Sequence, residues 1–305
     1  MKVLTGSHCE LGVCARISSA WRQLVCLVLA FGLSVVLPLS SVEAAEESIQ
    51  QPPTETPLSD KLMIRGGWAY VFGVAANVSK GGPVLGVGTN VDLTNTLGVD
   101  SSTDAFRLDG LYRFNDRHAV GLSWYRVGLS GTKALNQQID INDQTIQAGA
   151  STTTSLNFNI YRLLYNYSFY RNEKVELGVS PGLYMMQTKF NFAAQGTINN
   201  VAGNSATVNE QLTLPLPSIG FIANYNITPK LQFQSRYDFF YLTVGDYNGN
   251  MFEFYAGLEY RLLKHFAMGA AFDRLTAGLR SSGNQGFNIN FSYNLMYLYA
   301  TLYAF

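Results

Sequence analysis

Twelve charged residues recur at one kind of position along this chain of 305 residues. They are Arg65, Arg107, Asp109, Arg113, Arg162, Glu176, Arg236, Asp238, Glu253, Glu259, Arg261 and Asp273. Each lies in a segment of alternating pattern, on the face opposite the large apolar side chains. Arginines and carboxylates are equal in number among them. Asp109 follows Arg107 by two residues, and Asp238 follows Arg236 by two, so each pair shares one strand face. A balanced set of this kind predicts an internal ladder of ion pairs. Charge is costly to bury unless it is paired and hydrogen-bonded. Carboxylates committed to arginines are poorly placed for acid–base catalysis.

Other reactive side chains are scarce. Beyond the first 44 residues the only histidines are His118, after the turn Asn115-Asp116-Arg117, and His265, after Leu263-Lys264. Both fall at short turns rather than at the long loops. Neither a GxSxG elbow nor an HExxH pair is present. Asp92, Asp100 and Asp104 are too loosely spaced for a calcium loop and read as solvated loop charges. No metal, cofactor or catalytic residue is expected. Cys9, Cys14 and Cys26 all lie in the leading segment, so the remainder has no disulfide framework. Charged residues make up 14% with a formal net charge of +0, and no basic patch suggests nucleic acid as a partner.

The elements that position the ladder follow from patterning. Lys2, Arg16 and Arg22 precede an uncharged apolar run over residues 24–41, and Val42-Glu43-Ala44 offers small residues for cleavage. Residues 1–44 read as a signal peptide. Residues 45–60, with Pro52, Pro53 and Pro57, read as a disordered linker. Alternation fills residues 61–305. About ten strands are expected, with eight or twelve left open, in a closed antiparallel transmembrane β-barrel. The turns alternate short and long; the long stretches are residues 79–102, 130–152, 193–211, 245–250 and 281–285. In the first strand Leu62, Ile64, Trp68, Tyr70, Phe72 and Val74 are expected to face lipid together. In the last strand the odd positions Phe287 to Phe305 carry the larger residues, and size assigns them to lipid, with the even positions inside. Pro181, Pro215 and Pro217 fall within strands, where each removes a ladder donor.

The terminal Tyr303-Ala304-Phe305, the alternating strand before it and the leader together resemble small bacterial outer-membrane β-barrel proteins. The resemblance implies export to the cell outer membrane and contact with lipid and lipopolysaccharide. It also implies an assembly signal at Tyr303 and Phe305, read by barrel-assembly machinery. A monomer is expected. Barrel hydrolases of this class use a histidine near the outer leaflet, which His118 and His265 do not match. The expected protein is therefore not an enzyme. Its first reading is a narrow channel or ligand-conducting barrel for small molecules. The alternative is a closed-lumen structural or surface-interaction barrel, with a hydrolase last.

Overall fold

A computed structural model describes residues 60–79, 91–141, 144–282 and 288–304. The expected leader, the expected linker apart from Asp60, and Phe305 lie outside the described residues. Thirteen strands are present among them: β1 (Leu62–Ser79), β2 (Val91–Asp92), β3 (Thr103–Arg113), β4 (His118–Ala134), β5 (Ile139–Ile141), β6 (Gln144–Ile146), β7 (Ser151–Arg171), β8 (Val175–Ile198), β9 (Val201–Asn226), β10 (Leu231–Val244), β11 (Tyr247–Leu263), β12 (Phe266–Ser281) and β13 (Asn288–Ala304).

Ten of them form a ring. In order around it run β1, β3, β4, β7, β8, β9, β10, β11, β12 and β13, each antiparallel to its neighbours. Pairing of β1 with β13 from Leu62↔Ala304 to Ser79↔Asn288 closes the circle. Closure removes the sheet edges, which hydrocarbon would leave without hydrogen-bond partners. Ile64, Trp68, Phe106, Leu122, Leu258 and Leu298 project outward and are exposed, forming an apolar belt. On β1 that belt runs from Ile64 to Phe72, close to the 9–11 residues that a tilted strand needs to cross a bilayer.

One end carries tight turns. At the other end β2 pairs with β1, and the β5–β6 hairpin reaches β8 through Ile146↔Ile198. The stretch expected as a loop over residues 193–211 is instead strand. The long strands β8 and β9 run as one hairpin into a turn at Asn199 and Asn200, both with positive φ (50° and 63°). Left-handed Asn is the usual chemistry of such a turn. Residues 245–250 likewise shrink to a short turn between β10 and β11.

Two assignments of strand face are corrected. Val74 is buried inside, not beside Phe72 and Tyr70 on the lipid face. The cause is a bulge: the β1–β13 register shifts between Phe72 and Ala75, around Gly73 at φ +60°. The extra residue reverses the alternation beyond it. In β13 the faces are the reverse of those assigned by size. Tyr293, Leu295, Tyr297, Tyr299 and Tyr303 point inward and are buried, whereas Met296, Leu298 and Leu302 are exposed. The register carries the reason. Tyr299 lies opposite Gly67 on one side and Gly269 on the other, and a Cβ on Gly269 would stand 2.4 Å from the tyrosine ring. The large side chains of β13 thus fill space that glycines vacate on its neighbours. Thr301, between Arg65 and Ala267, shares that inward face.

Replacing Gly73 by valine puts a β-branched residue at φ +60° and a Cβ 2.9 Å from Asn294 Nδ2. Gly73→Val is expected to cost about 1–3 kcal/mol of unfolding free energy in urea. Gly73→Asn, which tolerates that backbone, should cost less. Equal losses would count against the bulge.

Candidate functional site

The lumen is built in three layers, each from inward residues two apart along their strands. Nearest the tight turns, Glu176 on β8 receives Arg113 of β3 at 2.8 Å, Ser168 Oγ at 2.6 Å and Asn224 Nδ2 at 3.0 Å. Arg261 of β11 pairs with Asp60 and stacks over the Tyr303 ring, 4.4 Å from its centroid. A polar cavity of about 960 Å³ of empty space, open mouth included, lies among Arg65, Arg113, Asn166, Glu176, Asn224 and Gln232.

Above it, arginines, carboxylates and tyrosines interlock across the barrel. Arg65 Nη2 donates to Glu259 Oε2 at 2.7 Å, and Thr301 Oγ1 and Tyr303 OH donate to the same carboxylate. Arg107 bonds Asp109 at 3.1 Å on its own strand and Asp273 of β12 at 2.7 Å. Arg162 of β7 reaches Glu253 of β11 at 2.8 Å. Those two strands are four places apart in a ring of ten, so the bond nearly spans the lumen. Arg236 bridges Asp238 at 2.6 Å and Glu253 at 3.2 Å. The ion pairs are desolvated: the side chains of Arg107, Arg162, Glu253 and Asp273 are almost fully buried.

All twelve charged residues singled out by pattern thus sit inside the barrel, in pairs. Arg113, Glu176, Arg261 and Asp60 stand apart from the larger central network. Tyrosines complete that network. Tyr125 and Tyr293 share a 2.6 Å hydrogen bond across the lumen, Tyr184 donates to Asp238 at 2.7 Å, and Tyr255 accepts from Arg65 at 3.0 Å. The Arg107 guanidinium lies 5.2–5.6 Å from the Tyr125, Tyr297 and Tyr255 ring centroids, within cation–π range. Size assigns Tyr293 and Tyr297 to the lipid face, so patterning misses their place in this network. The glycines opposite Tyr299 were the available signal.

The third layer, toward the long loops, is apolar. Phe158 of β7 and Phe291 of β13 meet across the lumen with centroids 4.4 Å apart. Around them Ala76, Leu93, Leu156, Met186, Phe190, Leu212, Leu214, Leu279 and Ile289 line about 690 Å³ of empty space, its mouth included. Glu210 is the titratable group among its described lining residues, and burial pushes its carboxyl above the usual range.

The histidines stand at the tight-turn end. His118 Nδ1 lies 2.5 Å from Tyr165 OH, and His265 Nδ1 lies 3.1 Å from the Tyr303 carbonyl. Among the described residues neither is bonded to a serine or carboxylate, and no group of three or more His, Cys, Asp or Glu side chains could hold a metal ion. Asp92 instead caps its own turn, accepting from the Thr94 and Asn95 N–H groups at 2.9 Å. Asp104 accepts the Trp68 indole N–H at 3.1 Å.

Glu253 is the node with the most to lose, because Arg162 and Arg236 both depend on it. Glu253→Ala should lower the urea unfolding free energy by about 3–5 kcal/mol, the usual cost of stranding a buried charge. Arg162→Met combined with Glu253→Met should recover much of that loss. A double variant no better than Glu253→Ala would show that pairing is not what the layer needs.

No protein-family model matches the chain, and no curated protein does. Solved structures do. The outer membrane protease OmpT from Escherichia coli is 9% identical, with a TM-score of 0.49; the match covers 79% of this chain and 97% of that one. The outer membrane protein OprG from Pseudomonas aeruginosa is 13% identical, with a TM-score of 0.34 and coverage of 82% and 99%. The translocator domain of autotransporter NalP from Neisseria meningitidis is 15% identical, with a TM-score of 0.40 and coverage of 78% and 88%. The closed ring of antiparallel strands with its apolar belt is the architecture of a transmembrane β-barrel.

Proposed function

We propose that this barrel is a non-enzymatic outer-membrane protein that takes up small apolar molecules into its loop-end pocket. One observation carries the reading: an apolar pocket sits directly above a layer of charge that crosses the lumen. The pocket offers burial to an uncharged ligand. The layer beneath it opposes a continuous aqueous path, because solvating an ion there means parting desolvated pairs. In this reading the loop end faces outside and the tight turns face the periplasm. The protein is a monomer among lipid and lipopolysaccharide, inserted by barrel-assembly machinery.

The β8–β9 hairpin favours a second reading. Val201 to Ser205 at its tip are all exposed, a surface that an external partner could grip. Binding of cells or matrix by the parent protein, lost when the tip residues 199–205 are replaced by a short turn, would support that role.

Two outcomes test the first reading. In planar bilayers the purified protein should pass no steady ion current; stable ohmic conductance would overturn the sealed middle layer. An apolar probe such as 1-fluoronaphthalene should bind with an affinity that rises as pH falls through and somewhat above the ordinary carboxylate range. Protonation neutralises Glu210, the raised carboxyl in the pocket lining, and so makes the wall more apolar. Titration at pH 5 and pH 8 should differ several-fold for the parent and not at all for Glu210→Gln.

A further inference from the structure

The wall beside the pocket is not paired along its full height. Strands β8 and β9 pair from Val175↔Tyr225 up to Ile198↔Val201, but β9 and β10 pair only from Gln232↔Asn226 to Phe239↔Ile219. Above that last rung, residues 214–218 of β9 and 240–244 of β10 face one another without a ladder, and residues 201–213 of β9 run on past the end of β10. Among the described residues no backbone bond outside the ladders reaches either stretch.

The sequence builds this seam. The Asn226 N–H donates at 2.7 Å to the Lys174 carbonyl, on the β8 side. N–H groups alternate between the two neighbours along a strand, and the β8–β9 register is unbroken from Tyr225 to Asn204. Odd-numbered N–H positions of β9 therefore face β10. The rungs after Ile219↔Phe239 would be Pro217 opposite Tyr241 and Pro215 opposite Thr243. Both prolines lack the donor that those rungs require. The ladder stops where the first of them falls.

The seam joins lipid to pocket. On its outer side Ile219, Phe239 and Tyr241 are exposed, Tyr241 at 73%, at the upper edge of the apolar belt. On its inner side Leu212 and Leu214, from the unpaired part of β9, line the pocket itself. Leu214 and Phe240 pack against the apolar core only partly buried. They are unbranched at Cβ and can turn aside without breaking a hydrogen bond.

We infer that the β9–β10 seam is a lateral passage by which an apolar molecule moves between the outer leaflet and the pocket. This rests on the pocket reading above and adds the route. A ligand dissolved in lipid then reaches the pocket through the wall at the upper edge of the belt, without passing over the loop end.

The test separates route from pocket. Fluorine NMR on 1-fluoronaphthalene in nanodiscs containing the protein reads both the bound fraction and its exchange with the lipid pool. Continuing the β9–β10 register, Leu216→Cys with Leu242→Cys places thiols on the non-hydrogen-bonded rung between the two prolines, in a barrel that otherwise holds no cysteine. Pro215→Val with Pro217→Val restores both donors and carries the same test should the disulfide not form. Closing the seam either way is expected to slow exchange at least tenfold while the bound fraction at equilibrium stays the same. Reduction of the disulfide should restore the rate. Exchange unchanged in both closed variants, with binding intact, would overturn the lateral route and leave the pocket standing. No bound signal in the parent protein would overturn the pocket, and the route with it.

Discussion

A ring of ten strands leaves a lumen that one long side chain can nearly cross, and the rest of the structure follows from that width. An arginine on β7 meets a glutamate on β11, and a phenylalanine on β7 meets one on β13. Every charge placed in the middle layer needs a partner, on its own strand or across the lumen, because a desolvated charge is costly unless it is paired. This is why arginines and carboxylates occur together in the middle layer, and why tyrosine fills the spaces between them. Its ring packs against guanidinium planes, and its hydroxyl bonds either partner.

The same constraint separates the layers. Charge that has been paired across the lumen cannot also present itself to a substrate, so the middle layer offers fixed partners rather than reactive groups. The histidines lie outside that layer, against tyrosine and backbone. What remains able to accommodate a ligand is space whose walls make no demands. In the loop-end layer such space is bounded by phenylalanine, leucine and methionine, with one carboxyl, Glu210, at its lining.

Much of the scaffold was legible from alternation alone. The ten-strand count and the inward placement of the twelve charges follow from a period of two and from where large apolar residues sit. The faces of β13 were not legible by the same rule. From Leu295 onward both of its faces are apolar, and size favours the wrong one. Only the register decides, because it sets Tyr299 beside Gly67 and Gly269 and Thr301 beside Arg65. Gly73 escaped for a related reason: one extra residue reverses the pattern, and a glycine in a strand does not announce which side it bends. The hairpin of β8 and β9 reads as loop because its Asn, Gly and Ala residues are weak strand formers. Its strand structure comes from pairing, not propensity.

Pro215 and Pro217 look like defects while the strand is considered singly. Their meaning depends on which neighbour each N–H faces, a property of the sheet. Within hydrocarbon an unpaired edge is prohibitively costly, and there the β9–β10 ladder is complete. The prolines begin one rung above Ile219 and Phe239, where the apolar belt ends and water can satisfy what the ladder leaves open. A barrel can relax its closure only at such a height without leaving backbone groups bare in lipid. It is also the height of the apolar pocket. The rim is therefore the one level at which a break in the wall is tolerable to the backbone and useful to a ligand arriving from the membrane.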